Sequence, residues 1–284
     1  MTQHDEAAMH LFPGQGAQFK GMGRELFTDF KTLTGIAEEV LGYDLARTCI
    51  DDPENRLVST DVTQPALYTV CMMTWIRHLE ETGEEPIMVA GHSLGEYAAL
   101  TVAGVFGFTD GLALVKQRGA LMAQAEGGGM LAVLGEGQER IAAIIDDYDA
   151  LDLANLNTDR QSVVSGRVDQ IENVHPLLQR EGFQVVRLQV GGAFHSRLMA
   201  AAAEAFRATL DTVAMKRPEI PVIANRNASP YPDDAPGIRE NLAAQISSPV
   251  RWADSIRFMR REGGCRFSEF GPKPVLTPML ESIT

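Results

Sequence analysis

The sequence predicts an α/β protein in two parts. Three observations predict it. A G-x-S-x-G pentapeptide, Gly91-His92-Ser93-Leu94-Gly95, lies between a strand-like and a helix-like stretch. The middle of the chain runs in the order βαββαβ, the ferredoxin-like arrangement. At 284 residues the chain is long enough for one large domain that carries an insertion. The expected layout is an α/β-hydrolase-like large subdomain, residues 1–128 and 193–284, with a ferredoxin-like small subdomain, residues 129–192, inserted in it.

The pentapeptide follows a short apolar run, residues 86–90, that reads as a buried strand, and it precedes a run rich in helix formers, residues 96–103. A tight strand-to-helix turn crowds the positions two residues either side of its centre, so glycines flank the serine. The Ser93 hydroxyl then stands clear at a helix N-terminus, with the Leu94 N–H free to donate to an oxyanion. A chance pentapeptide in an ordinary loop is the bland alternative.

In chain order, residues 9–12 read as a first buried strand, running into Pro13-Gly14-Gln15-Gly16-Ala17-Gln18. That loop is either a plain turn or a cradle of backbone N–H groups for an anion; no Gly-Lys-Ser/Thr follows, so it is not a P-loop. Residues 23–83 are expected to be helical, broken by a polar loop at 51–56, with a helix start at Thr63 and Pro65 in its first turn. Thr109 and Asp110 are expected to cap a helix from Gly111 to about Gln124. Gly119 inside it suggests close packing, possible against the elbow helix, and Arg118 faces either the site or water. After Gly127-Gly128-Gly129 come a strand at 130–134, a helix at 138–148, strands at 151–155 and 162–165, a helix at 168–180 with Ile171, Val174 and Leu178 on one face, and a strand at 183–190. A loop carrying His195, a long helix, a strand at 220–224, a mostly helical stretch at 238–262 and a strand at 266–270 complete the chain.

Composition narrows the function. The formal charge of −13 opposes nucleic-acid binding. There is no run of eighteen apolar residues, so no transmembrane helix is expected, and the polar start at residues 1–6 is not a secretory signal. Three widely spaced cysteines, Cys49, Cys71 and Cys265, suggest neither a disulfide framework nor a zinc site, and point to a reducing cytoplasm. No metal and no cofactor are expected.

A nucleophilic serine needs a base. Of the six histidines, His92 is aimed away by the elbow, His4 sits in the terminal tail, and His10, His78 and His175 read as structural or solvated. His195, in a loop at the seam between the two parts, is the best candidate.

Here the chain resembles the malonyl-CoA:acyl carrier protein transacylase family. The resemblance rests on Phe12-Pro13-Gly14-Gln15-Gly16-Ala17-Gln18, Thr63-Gln64-Pro65-Ala66, Gly91-His92-Ser93-Leu94-Gly95-Glu96, Gln117-Arg118-Gly119, Asn155-Leu156-Asn157, Ala193-Phe194-His195-Ser196, Gln245 with Ser248-Pro249-Val250, and Phe270-Gly271-Pro272, in family order. The narrower likeness is to discrete acyltransferases that serve modular polyketide synthases in trans. The resemblance implies Ser93 as nucleophile and His195 as base, with the Gln245 carbonyl orienting His195. It implies the backbone N–H groups of Gln15 and Leu94 as oxyanion hole, and Arg118 as partner of the malonyl carboxylate. It places Phe194, Gln64, Met122, Asn155 and Asn157 around the substrate, with Phe194 restricting an α-methyl branch. Malonyl-CoA and an acyl carrier protein are the implied partners, and the protein is expected as a cytoplasmic monomer. A basic run, Arg251, Arg257, Arg260, Arg261 and Arg266 with Arg197 and Lys273, reads either as a carrier-docking face or as a solvated surface. The proline-rich tail stops at Thr284, soon after the last motif, as a shortened C-terminus would. The rival readings are an acyl hydrolase acting on carrier proteins, which has no use for Arg118, a catalytically dead scaffold, and a generic esterase, which lacks the Ser…Asp/Glu…His order.

Overall fold

The computed structural model describes residues 7–284; the polar start at residues 1–6, with His4, lies outside the described residues. The fold is α/β, and its strands form two separate sheets. One contains β1 (Ala8–Phe12), β2 (Met88–Gly91), β7 (Val222–Ile223) and β8 (Arg266–Glu269) in the order β7-β2-β1-β8, all parallel. Every residue of β1 is buried, as suits a central parallel strand covered on both faces. The other contains β3 (Gly128–Leu134), β4 (Leu151–Thr158), β5 (Gln161–Arg167) and β6 (Gln184–Arg187) in the order β4-β5-β3-β6, all antiparallel. Helices α7 (Gln138–Ile145) and α8 (Val168–Arg180) join these strands, and Ile141, Ile171, Val174 and Leu178 close a small core against Leu131, Val133 and Val164.

The helices around the parallel sheet are α1 (Arg24–Asp29), α2 (Lys31–Leu41), α3 (Leu45–Asp51), α4 (Thr60–Thr82), α5 (Gly95–Val102), α6 (Phe108–Ala123), α9 (Ala200–Leu210), α10 (Ala235–Gln245) and α11 (Trp252–Arg261). Among the described residues, no helix is long and apolar enough to cross a membrane.

Several expectations are corrected. The α4 helix starts at Thr60 after an extended Ser59, not at Thr63, because a 3₁₀ turn (Pro53–Val58) feeds directly into it. The Thr63 hydroxyl instead donates to the Leu57 and Ser59 carbonyls at 2.6 and 2.9 Å. Helix α6 starts at Phe108, which puts Asp110 in its first turn rather than at its cap. Gly119 packs against the start of α4, not against the elbow helix: a methyl there would lie 3.0 Å from the Asp61 Cα. Strand β6 ends at Arg187; the Leu188 N–H still donates to the Met130 carbonyl at 3.0 Å, and residues 188–190 line a cleft. Strand β7 keeps two residues, preceded by Pro221, which has no N–H for a ladder.

The basic run is largely consumed within the chain. Arg251 pairs with Asp254, Arg257 with Asp254 and Asp159, Arg266 with Glu84 and Arg197 with Asp152, while Arg260 donates to the Leu280 and Ile283 carbonyls. Arg257 and Arg260 hold the C-terminal tail and Arg197 the seam, while Arg251, Arg260 and Arg261 stay exposed.

What positions the site is the close approach of three backbones. A methyl on Gly91 would collide with the Gly95 carbonyl, and one on Gly95 with the Phe12 carbonyl, both far inside van der Waals contact. The elbow is thereby pressed against the end of β1, and the His92 N–H donates to the Phe12 carbonyl at 2.9 Å. Across the seam, Val250 pairs with the edge of β4: its N–H donates to Ala154 at 2.8 Å, and its carbonyl accepts from Leu156 at 2.9 Å. Gly91→Ala should therefore cost about 3 kcal/mol or more in a denaturant melt, since backbone must move to admit the methyl. Gly35→Ala, at an exposed position of α2 with open space around it, should instead stabilise by about 0.5–1 kcal/mol.

Candidate active site

Ser93 and His195 both hold left-handed backbone conformations, φ 51° and 58°, which cost energy for residues with a Cβ and are sustained here by the surrounding packing. For Ser93 that packing includes Asn225, just after β7. Its Oδ1 accepts from the Ser93 N–H at 2.7 Å and its Nδ2 donates to the Gly91 carbonyl at 2.6 Å. The result brings Ser93 Oγ to 2.7 Å from His195 Nε2.

The other ring nitrogen settles the proton's place. His195 Nδ1 faces two backbone carbonyls, Gln245 at 3.0 Å and Ser248 at 3.1 Å. Carbonyls only accept, so Nδ1 carries the hydrogen and Nε2 is free to take one from Ser93. No carboxylate stands behind the ring. Burial, followed by the Arg118 cation, lowers the His195 pKa to about 3, with the two carbonyls pulling it back up.

The N–H groups of Leu94 and Gln15 have no acceptor among the described residues, and both residues line the same cleft of about 520 Å³ as Ser93. On the cleft floor lies Arg118, 1 % exposed. Its Nη1 donates to Gln64 Oε1 at 2.7 Å, and its Nη2 to Gln245 Oε1 at 2.9 Å and to Ser93 Oγ at 3.2 Å. The guanidinium lies over the Tyr97 ring, 5.6 Å from its centre. Among the described residues it forms no ion pair and its Nε has no acceptor; the buried Tyr97 and Glu96 act on it electrostatically. A buried cation in that state offers an anion a strong electrostatic reward.

The remaining predicted residues also line the cleft. Gln64 Nε2 lies 3.5 Å from Met122 Sδ. Phe194 is buried beside His195. Asn155 is buried where β4 meets Val250, and Asn157 Oδ1 lies 2.9 Å from His92 Nε2, holding that ring away from Ser93.

Sequence reasoning missed Asn225, Glu96 and the Ser248 carbonyl as participants. Glu96 is fully buried; its Oε1 accepts from the Asn225 N–H at 2.8 Å and its Oε2 from Gln245 Nε2. Burial raises its carboxyl to about 7, opposed by the Asn225 N–H, Tyr231, Gln245 and Arg118. An acid inside the otherwise apolar Tyr97-Ala98-Ala99-Leu100 helix was the available signal.

Among the described residues, one group could be considered for a metal: His10, His78 and Glu84. Its chemistry is wrong for one. Trp75 Nε1 donates to His10 Nδ1 at 3.1 Å, which puts the His10 proton on Nε2, facing Glu84 at 3.3 Å, and Arg266 already pairs with Glu84.

A serine at an elbow within hydrogen-bond reach of a histidine, beside a buried cation and two backbone N–H groups without acceptors among the described residues, is an arrangement suited to acyl transfer. The model of the acyl transferase domain family matches residues 9–283, and the chain belongs to that family. Among its relatives, the polyketide biosynthesis malonyl CoA-acyl carrier protein transacylase PksC of Bacillus subtilis is 42% identical over 278 residues, 96% of each chain. The polyketide biosynthesis protein ThaF of Burkholderia thailandensis is 47% identical over 281 residues; the match covers 97% of this chain and 24% of that longer protein. The crystal structure of a malonyl CoA-acyl carrier protein transacylase from Burkholderia pseudomallei is 42% identical, with a TM-score of 0.94 over 98% of both chains.

Because His195 stays neutral well below the ordinary histidine pKa of 6.5, labelling of Ser93 by a fluorophosphonate should stay flat from pH 8 down to about pH 5. A half-loss near 6.5 would contradict the depressed value. The same shift makes folding lose stability as pH falls from 6.5 towards 3, because the unfolded chain takes up the proton first.

Proposed function

We propose that the protein moves a malonyl unit from malonyl-CoA to the phosphopantetheine thiol of an acyl carrier protein, through a malonyl ester on Ser93, as a discrete enzyme serving a polyketide synthase in trans. The observation that carries this reading is the Arg118 guanidinium, buried without an ion pair among the described residues and 3.2 Å from Ser93 Oγ. A planar cation at that distance suits an acyl group that ends in a carboxylate. The names of PksC and of the Burkholderia pseudomallei enzyme support the same substrate and acceptor.

In the proposed reaction Ser93 Oγ attacks the thioester carbonyl while its proton passes to His195 Nε2, and the Leu94 and Gln15 N–H groups hold the oxyanion. The C–S bond breaks, and the departing CoA thiolate takes the proton from His195. The carrier thiol then gives its proton to His195 and attacks the ester; Ser93 leaves with that proton. The two halves share one site, so the kinetics are ping-pong. An acyl hydrolase for neutral chains is the weaker reading, because it leaves the buried cation without purpose.

In this reading residues 1–128 and 193–284 form the hydrolase-like large subdomain and residues 129–192 the ferredoxin-like insertion, supported by the two separate sheets and the β4-β5-β3-β6 order. A cytoplasmic monomer without metal or cofactor completes it.

Intact-mass spectrometry after mixing with malonyl-CoA should show one malonyl adduct, absent in Ser93→Ala. Arg118→Ala should lower malonyl loading by about 10- to 100-fold while sparing acetyl-CoA, because a charge-assisted hydrogen bond is worth about 1.5–3 kcal/mol. No adduct in the parent protein would end the proposal. Phe194→Ala should raise loading of methylmalonyl relative to malonyl by about tenfold, within the roughly 1–3 kcal/mol that one methyl group commands in a pocket. An unchanged ratio would remove Phe194 as a selectivity residue.

A further inference from the structure

We infer that Glu96 is a positioning residue for acyl selectivity: its carboxylate locks the Gln245 side-chain amide with the oxygen towards Arg118, and so keeps the guanidinium aimed at the acyl group on Ser93. This rests on the malonyl reading above and adds a residue to it that does not touch the substrate.

The inference follows from counting donors. Gln245 Nε2 has two hydrogens. One goes to the Ser93 backbone carbonyl at 2.8 Å and the other to Glu96 Oε2. A carbonyl accepts only, and so does the Glu96 carboxylate once ionised above about pH 7, so the amide then has one satisfied orientation, with Oε1 turned to Arg118 Nη2 at 2.9 Å. On its other side Glu96 Oε1 accepts from the Asn225 backbone N–H at 2.8 Å. Glu96 is thus a two-sided acceptor between a donor that cannot turn, Asn225, and one that can, Gln245. An ionised group with no solvent exposure is costly to keep, and an apolar side chain of similar size would fill the space at lower cost. What the carboxylate adds is the direction of the amide.

Glu96→Gln tests this without a change of shape. The new side chain has one acceptor and one donor. The fixed Asn225 N–H claims its oxygen, so its NH₂ faces Gln245. That forces the Gln245 amide either to meet a donor with its own NH₂ or to flip, setting NH₂ against Arg118 and oxygen against the Ser93 carbonyl. The Asn225 bonds that support the elbow are untouched. The disturbance therefore falls first on the cation; at the nucleophile it reaches only the Ser93 backbone carbonyl, and the Ser93–His195 pair and the Asn225 bonds stay in place.

The experiment compares parent protein, Glu96→Gln and Gln245→Met for malonyl loading by intact mass, for Ser93 labelling by a fluorophosphonate, and for thermal midpoint. The expected result for Glu96→Gln is a fall of about tenfold or more in kcat/KM for malonyl-CoA, carried by KM, with fluorophosphonate labelling within about twofold of the parent. Gln245→Met, which deletes the amide, should lower malonyl loading by at least as much, and the double variant should lose no more malonyl loading than Gln245→Met alone. Equal losses for malonyl-CoA and fluorophosphonate, full additivity in the double variant, or unchanged malonyl loading would each overturn the inference. If Glu96→Gln does not fold, Glu96→Met, which removes the acceptor at similar size, decides by the same criterion: a loss for malonyl-CoA much larger than the loss in fluorophosphonate labelling. A parent protein that labels with fluorophosphonate but takes no malonyl group would instead remove the function on which the inference rests.

Discussion

The structure depends on a cation taken out of water. Arg118 lies almost wholly inside the protein with no ion pair among the described residues, and its surroundings are arranged to make that tolerable. Two amide oxygens, from Gln64 and Gln245, accept its N–H groups, and the Tyr97 ring lies beneath it. Dipoles and a π face stabilise a guanidinium but do not neutralise it. The uncancelled charge acts on its neighbours. It lowers the proton affinity of His195, and it pulls the Glu96 carboxyl back down against the burial that raises it to about 7. In the proposed reaction an acyl carboxylate supplies the missing charge, so the pocket is electrically complete only with its substrate in place.

The histidine shows the same economy. In a serine hydrolase an aspartate behind the imidazole would fix its tautomer and stabilise the imidazolium. Here the Gln245 and Ser248 carbonyls fix the tautomer with partial charges alone. A full negative charge there would also lie within reach of Arg118 and would compete with an incoming acyl carboxylate for it. Backbone acceptors orient the base and leave the cation available.

Much of this was legible in the sequence, and the reasons are local. The elbow glycines and the strand before them announce a turn that only small residues can make, and the order of elements at 128–187 follows from apolar spacings and turn residues. Element ends were less legible. Strand β7 is short because a proline precedes it, and α4 begins early because a 3₁₀ turn feeds it. The partner of Gly119 depends on how α4 crosses α6, which no spacing within α6 encodes. Asn225 and Glu96 were missed for a similar reason. Each looks ordinary in its own segment, and they meet only because β7 lies beside β2. The arginine run was legible as a cluster, but its ion pairs with Asp159, Asp254 and Glu84 depend on elements that meet only in the fold.

The Val250 pairing with β4 ties two motions together. The residues that hold the histidine's proton, 245–248, lead directly into Val250, and Val250 is stitched to the edge of the antiparallel sheet. Parting the two sheets to widen the cleft would drag those carbonyls off the imidazole and switch off the base. A long pantetheine arm must therefore thread in along the existing groove instead of prising it open. The width of the groove and the acceptors of the histidine are thereby one mechanical unit.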